Sequence, residues 1–123
     1  MLLKDFYSIR KLEKTDETKY AASIFLNSEH AIFKGHFPGN PVTPGVCMMQ
    51  IIKELCEEVL ESPLLMTSSS NVKFMALINP EKNPALEFEI EMAGDLGTEI
   101  KVKATAMFAT TVALKLTNIY KKA

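Results

Sequence analysis

Cysteine, histidine and net charge are all sparse in this chain of 123 residues, and each shortage narrows what the protein can be. The two cysteines, Cys47 and Cys56, fall within one segment of helical spacing, about 13 Å apart along a helix axis at 1.5 Å per residue. They cannot bridge each other. With no further Cys or His at ligand spacing, a zinc site is unsupported, and both thiols read as small buried apolar groups. The formal net charge is -1, with 14 Lys+Arg against 15 Asp+Glu, so no global field attracts a polyanion. The Lys121-Lys122 pair is too short to change that, which argues against nucleic acid as a partner. No stretch approaches the ~20 apolar residues of a membrane span. Met1-Leu2-Leu3 stops at Lys4-Asp5 before a signal-peptide core can form, so residence in the cytoplasm is expected. Internal repeats and low-complexity tracts are absent as well.

What remains is an ordinary globular composition, 47% hydrophobic and 24% charged, in a chain with room for one domain over 1–123. The opening stretch to Glu17 is weakly patterned, with Asp16-Glu17-Thr18 reading as a turn. Tyr20 to Leu26 reads as a strand. Three of the five glycines and three of the six prolines then crowd into positions 35–45, a density that predicts neither regular helix nor central strand. Val46 to Ser62 carries Met48, Ile52, Leu55 and Val59 at helical intervals, with Gln50, Glu54, Glu57 and Glu61 opposite. Pro63 ends that helix by excluding α geometry from the residue before it. Four strands follow: Asn71 to Ile78, Ala85 to Ala93, Glu99 to Phe108 and Val112 to Tyr120, in meander-like succession. Leu86-Glu87-Phe88-Glu89-Ile90-Glu91-Met92 and Ile100-Lys101-Val102-Lys103-Ala104-Thr105-Ala106 alternate cleanly, giving each one buried and one polar face. Segregated helix and strands predict an α+β domain, one long helix on an antiparallel sheet.

His36 stands in the stiff loop just ahead of the helix. A rigid loop suits a catalytic group, and a neutral imidazole there can take a proton near neutral pH. The backbone N–H groups at Gly45 and Val46 are placed to polarise a carbonyl at the positive end of the helix dipole. The plainer alternative is a histidine that hydrogen-bonds its own loop together. Seven methionines, including Met48, Met49, Met66, Met75, Met92 and Met107, read first as core filling and second as the lining of a tunnel for a flexible chain.

The run Gly35-His36-Phe37-Pro38-Gly39-Asn40-Pro41-Val42-Thr43-Pro44-Gly45-Val46 closely resembles the signature of the bacterial 3-hydroxyacyl-acyl-carrier-protein dehydratases. Val72-Lys73-Phe74 resembles that family's strand after the central helix, and Val112 to Thr117 its last strand; before Glu29 the likeness is thin. The resemblance implies a hot-dog fold, an antiparallel sheet wrapped around the central helix at about 46–62. It also implies a homodimer with sites at the subunit interface, further assembly being left open. The implied substrate is an acyl chain on the phosphopantetheine arm of acyl-carrier protein. No cofactor or metal is implied: His36 would remove the α-proton, Gly45 and Val46 would hold the thioester carbonyl, and Phe37 would line the site beside a cis Phe37-Pro38 bond.

One position departs from that pattern. Where the family carries the Glu or Asp that protonates the departing hydroxyl, this chain has Gln50, and a carboxamide has no proton to give. Glu54 lies one turn on, where the family often has Gln, so the two side chains look exchanged. It reads either as part of a solvated stripe or as a shifted acid. Dehydration of a 3-hydroxyacyl thioester to a trans-2-enoyl product is therefore the expected activity. A hot-dog thioesterase using Glu54, and a non-catalytic carrier-protein-binding subunit, are the alternatives.

Overall fold

The computed structural model describes residues 5–34, 42–93 and 99–123. Strands β1 (Tyr7–Lys14) and β2 (Lys19–Leu26) come first, followed by the single-turn helix α1 (Ala31–Lys34) and the long helix α2 (Gly45–Leu60). Strands β3 (Leu64–Phe74), β4 (Ala85–Ala93), β5 (Glu99–Phe108) and β6 (Thr111–Lys122) complete the chain. The six strands form one antiparallel sheet in the order β1-β2-β4-β5-β6-β3.

The alternating strands behave as their patterns require. Leu86, Phe88, Ile90 and Met92 of β4, and Ile100, Val102, Ala104 and Ala106 of β5, turn inward and are buried. Bulky and small side chains face each other across the ladder: Phe88 opposes Ala22 and Ala106, and Ile90 opposes Ala104. This large-against-small pairing leaves space over the alanines for other core side chains. Helix α2 contributes Met48, Ile51, Ile52 and Leu55 to the same buried cluster. Both cysteines are buried and free. Burial, helped by the nearby Glu57, pushes the Cys56 thiol up to about 12, and burial raises that of Cys47 as well.

Several expectations are corrected. The stretch before Glu17 contains a full strand, β1, whose bulge between Ile9 and Lys11 breaks the alternation that would have revealed it. The turn-rich region holds one helical turn, α1, where Phe33 is buried and stacks on Phe6 at 4.9 Å between ring centroids. Strand β3 begins at Leu64 rather than Asn71 and ends at Phe74. Its central Met66-Thr67-Ser68-Ser69-Ser70 is exposed, so no buried face imprints period two on the sequence. The last four strands are not a simple meander: β4, β5 and β6 are, but β3 pairs with β6 at the sheet edge. The chain after Phe74 returns across the start of α2, where Thr43 N–H bonds the Ile78 carbonyl at 2.8 Å.

Candidate functional site

Helix α2 starts without a side-chain cap. Pro44 is extended at φ -61, ψ 143, and its carbonyl accepts from the N–H groups of Cys47 at 3.0 Å and Met48 at 3.2 Å. The amides of Gly45 and Val46 precede that first intrahelical donor, at the positive end of the helix, and donate to no acceptor among the described residues. A cleft of about 480 Å³ opens there, lined by Thr43, Gly45, Val46, Phe74, Leu77 and their neighbours. Its walls are mainly apolar, and Val46 and Leu77 are 77% and 76% exposed beside it. Phe74 lies against Gly45, so closely that a Cβ there would stand 2.7 Å from the ring's Cζ. Only glycine at the helix start lets the ring settle in that position. The Thr43 hydroxyl, buried beside the cleft, has no hydrogen-bond partner among the described residues.

Further along α2, Val46, Gln50 and Glu54 succeed one another at intervals of four, forming one stripe that runs from the cleft into the protein. Burial increases along it, from exposed Val46 through half-buried Gln50 to Glu54, which is only 4% exposed. The expectation of a solvated Glu54 is thus corrected. Its carboxylate accepts from the Tyr7 hydroxyl at 2.9 Å on Oε1 and from Gln50 Nε2 at 2.9 Å on Oε2. Burial first, then the hydrogen bond and charge of Glu54, raise the Tyr7 hydroxyl above its usual range, which keeps it a donor. Glu57, on the same supposed stripe, accepts from Lys53 Nζ at 3.1 Å and from the Leu64 amide at 2.8 Å, so it ties the helix to β3. Of the four residues, Glu61 alone is exposed. The surface-helix template fails because α2 is surrounded by core on more than one side.

His36 and Phe37, and the Phe37-Pro38 bond, lie outside the described residues. The structure places Gly45 and Val46 at the mouth of the cleft and brings Gln50 and Glu54 into direct contact. Tyr7 is the member that the sequence did not reveal: it is 47 residues from Glu54, in a strand hidden by its bulge. Among the described residues, no three His, Cys, Asp or Glu side chains gather as a metal site, and no helix is long and apolar enough to cross a membrane.

The family model described as ApeI-like, ApeI dehydratase, matches residues 12–112. A 3-hydroxyacyl-[acyl-carrier-protein] dehydratase FabZ from Levilactobacillus brevis is 27% identical over 123 residues, covering 91% of this chain and 82% of the relative. Its counterpart from Caldicellulosiruptor bescii is 29% identical over 111 residues, covering 83% and 77%. Among solved structures, the chain resembles one from the dehydratase heterocomplex ApeI:P of Xenorhabdus doucetiae, with a TM-score of 0.78, 18% identity, and 93% and 96% of the two chains covered. It also resembles the putative thioesterase yhdA from Lactococcus lactis, with a TM-score of 0.70, 12% identity, and 94% and 92% covered. The sheet and helix are those of the hot-dog fold.

Proposed function

Because this chain belongs to the ApeI-like dehydratase family, we propose that it removes water from 3-hydroxyacyl thioesters carried by acyl-carrier protein, giving the trans-2-enoyl thioester. The observation that carries this reading is the apolar cleft opening onto the first amides of α2, which donate to no acceptor among the described residues. An acyl chain fits its walls, and a thioester carbonyl is an acceptor suited to those amides. In the proposed reaction His36 takes the proton from C2 while the Gly45 and Val46 amides hold the carbonyl. The freed electron pair forms the C2–C3 double bond, the C3–O bond breaks, and the hydroxyl leaves as water, taking its proton either from the protonated His36 or from an acid on a second subunit.

Gln50 cannot supply that last proton. Both oxygens of Glu54 accept hydrogen bonds from protein donors, an arrangement suited to holding neighbours in place. This favours a second form of the same reading, in which the chain works beside a subunit that carries the acid. The similar Xenorhabdus chain comes from a dehydratase heterocomplex. Self-association is supported by the β3 edge, whose first nine residues, Leu64 to Val72, include no charge.

The test is incubation with a 3-hydroxyacyl carrier protein, followed by mass analysis for loss of water. Wild type is expected to form the enoyl product, and His36→Ala to slow it about 10²–10⁴-fold. If the wild type is silent alone while Gln50→Glu turns over, the scaffold is intact and the chain itself lacks the acid. Release of free carrier thiol without enoyl product would instead identify a thioesterase.

A further inference from the structure

The stripe Val46, Gln50, Glu54 ends on Tyr7, and that termination defines what Gln50 can offer a ligand. Gln50 Nε2 donates to Glu54 Oε2 at 2.9 Å, and the opposite Glu54 oxygen is engaged by the Tyr7 hydroxyl at 2.9 Å. A carboxylate only accepts, so the reversed amide would set two oxygens against each other; Glu54 therefore decides which way the Gln50 carboxamide faces. Trigonal geometry at the amide carbon then turns Oε1 away from Glu54. That oxygen has no hydrogen-bond partner among the described residues, and Gln50 is only half-buried. Gln50 is one helical turn from Val46, about 6 Å along the axis, and Val46 lines the cleft.

We infer that Tyr7 is a positioning residue which, through Glu54, fixes Gln50 so that its Oε1 accepts a hydrogen bond from the 3-hydroxyl of the bound acyl thioester. This deepens the dehydratase reading and rests on it. The role is recognition rather than proton donation: the hydroxyl is the donor, no bond to hydrogen is broken, and the carboxamide stays neutral. Its consequence is selectivity. An acyl thioester without the hydroxyl fills the same apolar cleft but leaves Oε1 unpaired. One neutral hydrogen bond predicts a preference for the hydroxylated ligand of about 5- to 10-fold.

The experiment uses His36→Ala protein, to hold turnover down, and two pantetheine thioesters of equal chain length, one 3-hydroxyacyl and one saturated. Affinities are measured by calorimetry, then repeated with Gln50→Leu or Tyr7→Phe added, each checked for native circular dichroism. The expected result is a 5- to 10-fold preference in the His36→Ala background. Gln50→Leu abolishes it, and Tyr7→Phe shrinks it, with saturated-ligand affinity unchanged in both. Gln50 is half-buried, so its variant carries the test even if Tyr7→Phe fails to fold. A preference that survives Gln50→Leu overturns the inference, as does equal weakening of both ligands by Tyr7→Phe. Equal binding of the two thioesters to the background overturns the inference alone. Binding of neither removes the dehydratase reading and the inference with it.

Discussion

At Gly45 the backbone and a side chain from a distant strand compete for one volume. The ring of Phe74 occupies the place where a Cβ would project, with Cζ at 2.7 Å and Cε1 at 2.9 Å. Phe74 is 56% exposed at the end of β3, so its ring has room to swing outward when pushed. Gly45→Ala is therefore expected to change unfolding free energy by less than about 1 kcal/mol, since alanine's better helix propensity offsets the displaced ring. The cleft itself should change, because Phe74 is one of its walls. Saturated acyl-thioester affinity is expected to shift severalfold in Gly45→Ala and to match Phe74→Ala in the double variant Gly45→Ala/Phe74→Ala, a coupling read by a double-mutant cycle. Additive effects would show that the two residues do not share the volume. At this scale the sequence is legible where structure is local: the Gly-Pro-rich run announces the helix start at Gly45. It was silent on Tyr7, because nothing in a run of neighbours announces a partner 47 positions away. It misled on Glu54, because a carboxylate on a helix is ordinarily wet.

The helix that carries the site ends in a strained way. Glu61, the C-cap of α2, sits at φ 51, ψ 43, a left-handed conformation, while its N–H bonds the Glu57 carbonyl. A side chain in that region costs about 1–2 kcal/mol, and glycine's extra freedom in the unfolded chain returns about 0.5–1 kcal/mol of that difference. Glu61→Gly is thus expected to stabilise the protein by about 0.5–1 kcal/mol, seen as a higher urea midpoint with unchanged slope. The Glu61 side chain is exposed, so no buried contact is lost. A lower midpoint would mean that the cap is held by something other than backbone geometry. Among elements, legibility followed burial. Strands β4 and β5 have one inward and one outward face and were bounded correctly from alternation alone. Strand β3 runs along an edge with its middle exposed, and β1 is bulged, so neither left a periodic trace.

The two edges of the sheet differ in a way that bears on assembly. Strand β1 presents Arg10, Lys11, Glu13 and Lys14 with a bulge among them, features that discourage another strand from pairing. Strand β3 is 11 residues long, has no charge before Lys73, and exposes Leu65, Met66 and Phe74. An edge of that length and composition is open to pairing with its own copy about a two-fold axis. A two-fold axis through β3 would also bring the two clefts near the shared edge, since Phe74 belongs to both β3 and the cleft wall. The expected solution species is a dimer, at twice the chain mass in sedimentation equilibrium. Replacing exposed Leu65 and Ser70 by Lys places like charges along the shared edge and is expected to yield monomer, with loss of dehydration. Each is exposed, so monomer stability should stay within about 0.5 kcal/mol per site. Ser8→Lys, at an exposed position on the already charged β1 edge, is the control and should leave the mass unchanged. Were the Leu65→Lys/Ser70→Lys protein still dimeric, the contact would lie elsewhere; were it monomeric yet fully active, the site would need only one chain.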